Sequence, residues 1–222
     1  MSLLYLIRHG QASAGTHDYD RLSALGLRQA QLLGQWWNAQ GFAPDSVWHG
    51  SLIRQRETAR LALESMDHTL LPDVHEGLNE YNHRVIDRHF GEGSQSDDPE
   101  SLTFDDYVRI MQRWREHEAH PDTPEIEPWS EFAVRGWQTV LALHEQQGQG
   151  HNHVFFTSGG VIATLLSHVL GLDFSHTVDA IWRIRNTSIT TLHFDGRHAR
   201  LVDFNTIPHL QVQNDAALIT LI

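Results

Sequence analysis

The chain has 222 residues, a formal net charge of −12, no cysteine, and 40% hydrophobic against 20% charged residues. That balance suits an ordinary globular core and argues against a disordered or membrane-embedded chain. All sixteen positive charges are Arg. The acidic surplus repels nucleic-acid backbones and anionic membrane surfaces, and the lack of Cys excludes disulfides, zinc–thiolate sites and a thiol nucleophile.

Leu3 to Ile7 is a five-residue apolar run, too short for a signal peptide or a spanning helix. It reads as a buried first strand, and the chain is expected to be cytoplasmic. Arg8 to Tyr19 follows as a polar loop. Ser23 is a candidate N-cap for a helix from about Ala24 to Gln40, with Leu25, Leu32, Leu33 and Trp36 on one face. Pro44 and Asp45 break the chain before a short strand, Ser46 to His49. A second helix runs from Leu52 to about Ser65, and Leu70 to His75 reads as a third strand.

The middle has a different texture. Gly91 to Ser101 is polar, acidic and Gly-containing, and His120 to Pro128 carries three prolines, so both read as loops. Helices are expected over Phe104 to about His117, with Tyr107, Val108, Met111 and Trp114 on one side, and over about Trp129 to Gln147. The β pattern then returns. His153 to Thr157 is an apolar strand, Ser158-Gly159-Gly160 a turn, and Val161 to Leu170 an apolar helix ending at Gly171. Two last strands, about Ser188 to Phe194 and Ala199 to Phe204, join through Asp195-Gly196, a hairpin signal. This alternation predicts one α/β domain over residues 1–222, with a mostly parallel central sheet flanked by helices and a helical cap insertion over about 82–130.

Four places carry candidate chemistry. Arg8-His9-Gly10 follows the first strand directly, at the carboxyl end where α/β sheets bind ligands. Gly10 is expected to let the backbone turn sharply beside the imidazole. Arg54 lies in the first turn of the second helix, where free N–H groups and the helix dipole favour an anion. Arg56 and Arg60, four residues apart, share a face that reads as solvated. Ser158, Gly159 and Gly160 put backbone donors at another strand end, the glycines permitting close approach by a ligand. Glu80 and His83, after the third strand, are an acid/base candidate and its assistant. The His151-x-His153 pair shares a strand face but has no neighbouring acid to complete a metal site, and none is expected.

In order along the chain, Leu-Ile-Arg8-His9-Gly10, then Ser51-x-x-Arg54-x-x-x-Thr58-Ala59, then Leu78-x-Glu80, then a strand ending in Gly159-Gly160 resemble the histidine phosphatase superfamily, also called phosphoglycerate-mutase-like. The likeness extends over most of the chain. It implies a phosphoglycerate-mutase-like fold and metal-independent phosphatase activity on phosphate monoesters. It also implies His9 as the nucleophile forming a phosphohistidine, Glu80 as general acid/base, and Arg8 and Arg54 as clamps on the phosphoryl oxygens. Matching the family's Arg-Ala-x-Gln-Thr-Ala pattern on Thr58-Ala59 selects Arg54 rather than Arg56. No cofactor is implied, because guanidinium charge does the work a metal otherwise would.

Two departures stand out. Ser158 occupies the place of a second His in the family's Ser-His-Gly-Gly; it donates a hydrogen bond but neither titrates nor carries charge. Ala12 stands where the family often has Thr, with Ser13 one position on as a substitute phosphate ligand. Three readings remain open: a phosphatase, a phosphomutase using the same intermediate, and a weakly active or non-catalytic phospholigand-binding protein. The expected partner is a small phosphate ester or a phosphoprotein, with no nucleic acid and no membrane. Homodimer formation stays open.

Overall fold

Runs such as Leu3 to Ile7 and His153 to Thr157 are apolar on both sides, so they are stable only with both faces covered. The computed structural model describes residues 1–13, 20–91, 102–117, 123–147 and 150–221, and it covers them. Six strands form a single sheet: β1 (Ser2–Arg8), β2 (Ser46–His49), β3 (Asp73–Val74), β4 (Asn152–Thr157), β5 (Ile189–Phe194) and β6 (Ala199–Thr206). Their order is β3-β2-β4-β1-β5-β6. The pairs β3·β2, β2·β4 and β4·β1 are parallel, and β5 runs antiparallel to both β1 and β6. The mostly parallel α/β architecture expected from the alternation is the one observed.

Helices α1 (Ala24–Ala39) and α2 (Ile53–Ser65) cover one face. There Leu33, Trp37, Ala59, Ala62 and Leu63 pack on Ile7, Val47, Val154 and Phe156. The other face is covered by a larger core in which Leu4, Leu6, Trp48, Phe155 and Leu192 meet four helices. These are α4 (Phe104–Glu116), α5 (Trp129–Gln147), α6 (Gly159–Leu170) and α7 (Phe174–Arg183). A shorter helix, α3 (His83–Phe90), contributes Ile86 to the same core. Trp114 and Phe132 are fully buried at its centre, each stabilising by about 1.5–3 kcal/mol or more through lost water contact. The short α8 (Pro208–Gln211) brings Ile207 and Leu210 against Leu32 of α1.

Several elements differ from the sequence expectation. The third strand shrinks from Leu70–His75 to Asp73–Val74. Pro72 has no N–H to give a ladder, and Leu71 is 86% exposed. Ser158-Gly159-Gly160 is not a separate turn: α6 begins at Gly159, with Ser158 in the capping position. Helices α3 and α7 were not foreseen. Each is capped by a local side chain, Asn82 Oδ1 on the Val85 N–H and Asp173 Oδ1 on the His176 N–H. The hairpin through Asp195-Gly196 is present, Asp195 Oδ1 accepting from the Arg197 and His198 N–H groups. Of the expected loops, residues 14–19, 92–101 and 120–122 lie outside the described residues. No helix among the described residues is long and apolar enough to cross a membrane.

Candidate active site

Strand β1 delivers Arg8 and His9 to the carboxyl end of the sheet, and its register fixes what faces them. Arg8 lies opposite Thr157 of β4, and the His9 N–H donates to the Thr157 carbonyl at 2.9 Å. Ser158 is therefore the next residue along on the neighbouring strand. The His9 carbonyl accepts from Asn186 Nδ2 at 3.2 Å, and the Thr187 N–H reaches the carbonyls of Arg8 and His9 at 3.0 and 3.3 Å. Thr187 has a φ of 54°, a left-handed conformation that is strained for a β-branched residue. The backbone carrying His9 is thus tied down from three sides.

The ring itself is 4% exposed. Its Nδ1 lies 2.7 Å from the Gly10 carbonyl, and a carbonyl only accepts, so Nδ1 carries the proton. Nε2 is then the bare nitrogen, and it accepts from Arg54 Nε at 3.1 Å. Burial first, then the charges of Arg54 and Arg8, holds the His9 pKa well below its ordinary value. The imidazole is neutral near pH 7, with its lone pair directed at a guanidinium.

Arg54 is buried in the first turn of α2 and is held by Asp20. Asp20 Oδ1 pairs with Arg54 Nη1 at 2.8 Å, and Oδ2 accepts from the Ile53 N–H at 2.8 Å. One carboxylate thus orients the guanidinium and satisfies the start of α2, where Leu52 offers no side-chain cap. Thr58 adds a second tie, its hydroxyl donating to the Arg54 carbonyl at 2.7 Å and accepting from the Gly10 N–H at 3.0 Å. Arg56 is solvent-exposed, and Arg60 pairs with Glu57 and Glu64 at the surface, as the solvated-face reading of that pair holds. Arg8 donates through Nη1 to the carbonyls of Ile184 and Leu221, so its fork is anchored to backbone.

Glu80 reaches the N-terminus of α6. Its Oε2 accepts from the Gly160 N–H at 2.8 Å and its Oε1 from the Tyr81 N–H at 3.2 Å. Burial raises the carboxyl pKa, against the opposing pull of those two bonds and of Arg54 and Arg8. A Cβ on Gly160 would lie 2.2 Å from Glu80 Oε1, so glycine there makes room for the carboxylate. At Gly159 the nearest atoms to such a Cβ are 3.5 Å away or more. Crowding by described residues does not require glycine at 159. Gly10 also has a different reason from the one expected. Its φ is not positive; a Cβ there would meet the Gly26 carbonyl at 2.5 Å, so the need is close approach of the loop to α1.

Ser158 is fully buried, with Oγ accepting from Gln55 Nε2 at 2.8 Å. His83 opens α3 close enough to Arg54 to feel its charge; burial, then Arg54 and Arg84, brings its pKa down to about 4. Ser13 donates its N–H to the Arg21 carbonyl at 2.8 Å, beside the short Ala12–Leu22 bridge. The structure thus gathers His9, Arg8, Arg54, Glu80, Ser158 and Gly159 at one end of the sheet, with His83 within range of the Arg54 charge. Asp20, Gln55 and Thr58 were not assigned roles from sequence. Thr58 and Gln55 lay inside a quoted motif, whereas nothing in the sequence marked Asp20 as a partner of Arg54.

A cavity of about 390 Å³ opens alongside Glu80, lined by Glu76, Tyr81, Trp114, Glu125, Glu127 and Arg135 among others. His9, Arg8 and Arg54 do not line it. His151 and His153 sit at the start of β4, His153 against Ser46 Oγ at 2.7 Å. Among the described residues no group of three or more His, Asp or Glu is placed to hold a metal.

The sequence profile of the histidine phosphatase superfamily (branch 1) matches residues 4–207. A 2,3-bisphosphoglycerate-dependent phosphoglycerate mutase from Nitrobacter winogradskyi is 32% identical over 119 residues, covering 50% of this chain and 55% of that protein. The chain spans about half the length of the curated relatives it matches. A phosphoglycerate mutase structure from Bacillus anthracis superposes with a TM-score of 0.68 at 18% identity, over 96% of this chain and 97% of that one. A phosphoserine phosphatase from Entamoeba histolytica, in complex with phosphoserine, gives a TM-score of 0.59 at 21% identity, over 95% of this chain and 100% of that one. At these identities the structural likeness speaks to the fold alone.

Proposed function

Because this chain belongs to the histidine phosphatase superfamily, we propose that it hydrolyses phosphate monoesters through a phosphohistidine on His9. The observation that carries this reading is the tautomer. The Nδ1 proton is held by the Gly10 carbonyl, leaving Nε2 bare and facing Arg54.

In the first step the Nε2 lone pair attacks phosphorus, the N–P bond forms and the ester P–O bond breaks. The Glu80 carboxyl, its pKa raised by burial, gives its proton to the leaving alkoxide. Arg54 shifts its Nε–H from Nε2 to a phosphoryl oxygen, and Arg8 grips another, so positive charge meets the charge that develops on the equatorial oxygens. In the second step water attacks phosphorus, the Glu80 carboxylate takes its proton, and the N–P bond breaks to release phosphate. Four carboxylates, Glu76, Glu80, Glu125 and Glu127, line the neighbouring cavity against one guanidinium, Arg135, which suits a neutral or hydroxyl-rich leaving group better than an anionic one. The segment around α3 and α4, next to Glu80 and His83, is where substrate selection would lie.

The test is release of phosphate from p-nitrophenyl phosphate and a panel of sugar phosphates, with a chelator present. Turnover that vanishes in His9→Ala, together with acid-labile phosphate trapped on the wild-type protein, is the expected result. Full turnover in His9→Ala would sink the reading. The similarity to phosphoglycerate mutases favours a second reading, a phosphomutase with the same intermediate. Isomerised ester without net phosphate release would select it.

A further inference from the structure

Ser158 occupies the capping position of α6, where a Ser hydroxyl ordinarily accepts a backbone N–H from the first turn. It makes no such bond. Its Oγ instead accepts from Gln55 Nε2 at 2.8 Å, and both side chains are fully buried. The direction of this bond is fixed by its neighbours. Gln55 Nε2 also lies 3.0 Å from the Leu78 carbonyl, which only accepts, so the amide nitrogen must face both partners. The same carbonyl takes the Thr157 hydroxyl at 2.6 Å. Both protons of the Gln55 amide are therefore committed, one to Leu78 and one to Ser158. The Ser158 hydroxyl keeps its own proton, with no acceptor for it among the described residues.

Gln55 is also a poor choice for stability alone. Its Oε1 is buried without a hydrogen-bond partner, and Gly50 is needed to make room for it, a Cβ there falling 1.9 Å from that oxygen. An apolar side chain of similar volume would avoid the orphaned acceptor, and such departures from local good sense tend to mark functional positions. The residue it orients is well placed. Ser158 follows the strand residue paired with Arg8, and a Cβ placed on the next residue, Gly159, would lie 3.8 Å from Arg8 Nε.

We propose that Gln55 is a positioning residue that turns the Ser158 hydroxyl into a fixed, non-titrating proton donor to a phosphoryl oxygen. This rests on the phosphatase reading above. Two of the sequence positions that depart from the Arg-Ala-x-Gln-Thr-Ala and Ser-His-Gly-Gly patterns, 55 and 158, meet in space: a carboxamide and a hydroxyl fill the volume that Ala and imidazole would share. The grip at this corner is then independent of pH, and the pH dependence of the reaction falls to other groups.

The experiment is a double-mutant cycle on p-nitrophenyl phosphate turnover and on inorganic phosphate affinity, with Ser158→Ala, Gln55→Met and the pair. Methionine fills the space but donates nothing. Each single variant should lower kcat/KM about ten- to a hundred-fold. The pair should be no worse than Ser158→Ala alone, and the pH profile of Ser158→Ala should run parallel to wild type. A Gln55→Met variant within twofold of wild type, or an unimpaired Ser158→Ala, would overturn the proposal. Because misfolding would mimic such losses, a second comparison uses gain instead. Ser158→His alone should collide with the Gln55 carboxamide, whereas Gln55→Ala with Ser158→His conserves volume. The double variant should recover activity over Ser158→His and acquire a new ionisation, activity falling as pH rises through the introduced imidazole's pKa. Equal activity in the two would refute a Gln55–Ser158 pair. The His9→Ala control fails separately: turnover surviving there removes the phosphohistidine reading itself, whatever the cycle shows.

Discussion

Mild acid should loosen this protein through a buried imidazole that takes no part in the proposed chemistry. His209 is fully buried, and its Nε2 lies 2.9 Å from Thr187 Oγ1. That hydroxyl already donates to the Asn186 carbonyl at 2.8 Å, so it accepts from the ring. Nε2 therefore carries the proton, and Nδ1 is buried with no partner to stabilise a second one. Burial holds the His209 pKa down at about 3. The unfolded chain takes up this proton near pH 6.5, while the folded chain refuses it until about 3. Stability from this group is thus intact above pH 6.5 and lost as pH falls through the window, by about 1.4 kcal/mol per unit. Between pH 6.5 and 4.5 the loss is about 2 kcal/mol, a sizeable part of a typical 5–15 kcal/mol total. Urea unfolding at the two pH values measures it. His209→Gln keeps an amide donor toward Thr187 but cannot ionise, so it should lose about 2 kcal/mol less than wild type over the same interval. His9, His83 and His144, whose pKa values are also lowered, add to the slope in both proteins and cancel. Identical slopes would mean the folded chain accepts the proton, and the burial argument would fail.

Two further outcomes follow from the charges around His9. The kcat/KM profile should fall on the acid side only well below the ordinary imidazole range, because the His9 pKa is held well under it, and fall on the other side as pH rises through the raised pKa of Glu80; Glu80→Gln should erase that upper limb and lower kcat by about 10²–10⁴-fold. An upper limb that persists in Glu80→Gln assigns the proton elsewhere. Asp20→Asn keeps an acceptor for the Ile53 N–H but removes the charge that orients Arg54. With the Asp20 side chain 34% exposed, the stability change should stay within about 1 kcal/mol, while kcat/KM drops roughly tenfold through misplacement of the guanidinium. Thermal melts beside steady-state kinetics separate the two, and an unchanged kcat/KM would show Arg54 to be held without Asp20.

What could be read in advance follows the range of the forces involved. Strands β1 and β4 were legible because a continuous apolar run has few other homes. With both strands placed parallel and side by side, Arg8, His9 and Ser158 had to emerge together. Helix α2 placed Arg54 by the same logic, its first turn facing the strand ends. Leu70 and Leu71 misled because apolar character outweighed Pro72. Helix α7 could have been found from Asp173 as a cap and the spacing of Phe174, Val178 and Ile181. By contrast, nothing local distinguishes Asp20, whose two bonds cross 33 and 34 positions of chain. The Gln55–Ser158 bond spans 103 positions. The reason for Gly10 was also hidden, since it lies in the nearness of Gly26 and not in its own backbone angles.

The acidity of the chain also has to be reconciled with an anion site. A net charge of −12 opposes the approach of phosphate, but exposed carboxylates act through water, where screening cuts their reach to about 8 Å at physiological ionic strength. Arg54 and His9 are buried, so their mutual interaction is screened far less. Of the surface acids, Asp20 alone bonds directly to Arg54 among the described residues, and its charge is spent on holding the guanidinium and the α2 N-terminus. The surface and the pocket therefore act at different stages. The surface taxes the approach of any multiply charged ligand, more heavily at low salt, while the buried guanidinium groups decide what stays. The rate of association with an anionic substrate should accordingly rise with added salt, the reverse of what a basic-surfaced phosphate binder would show.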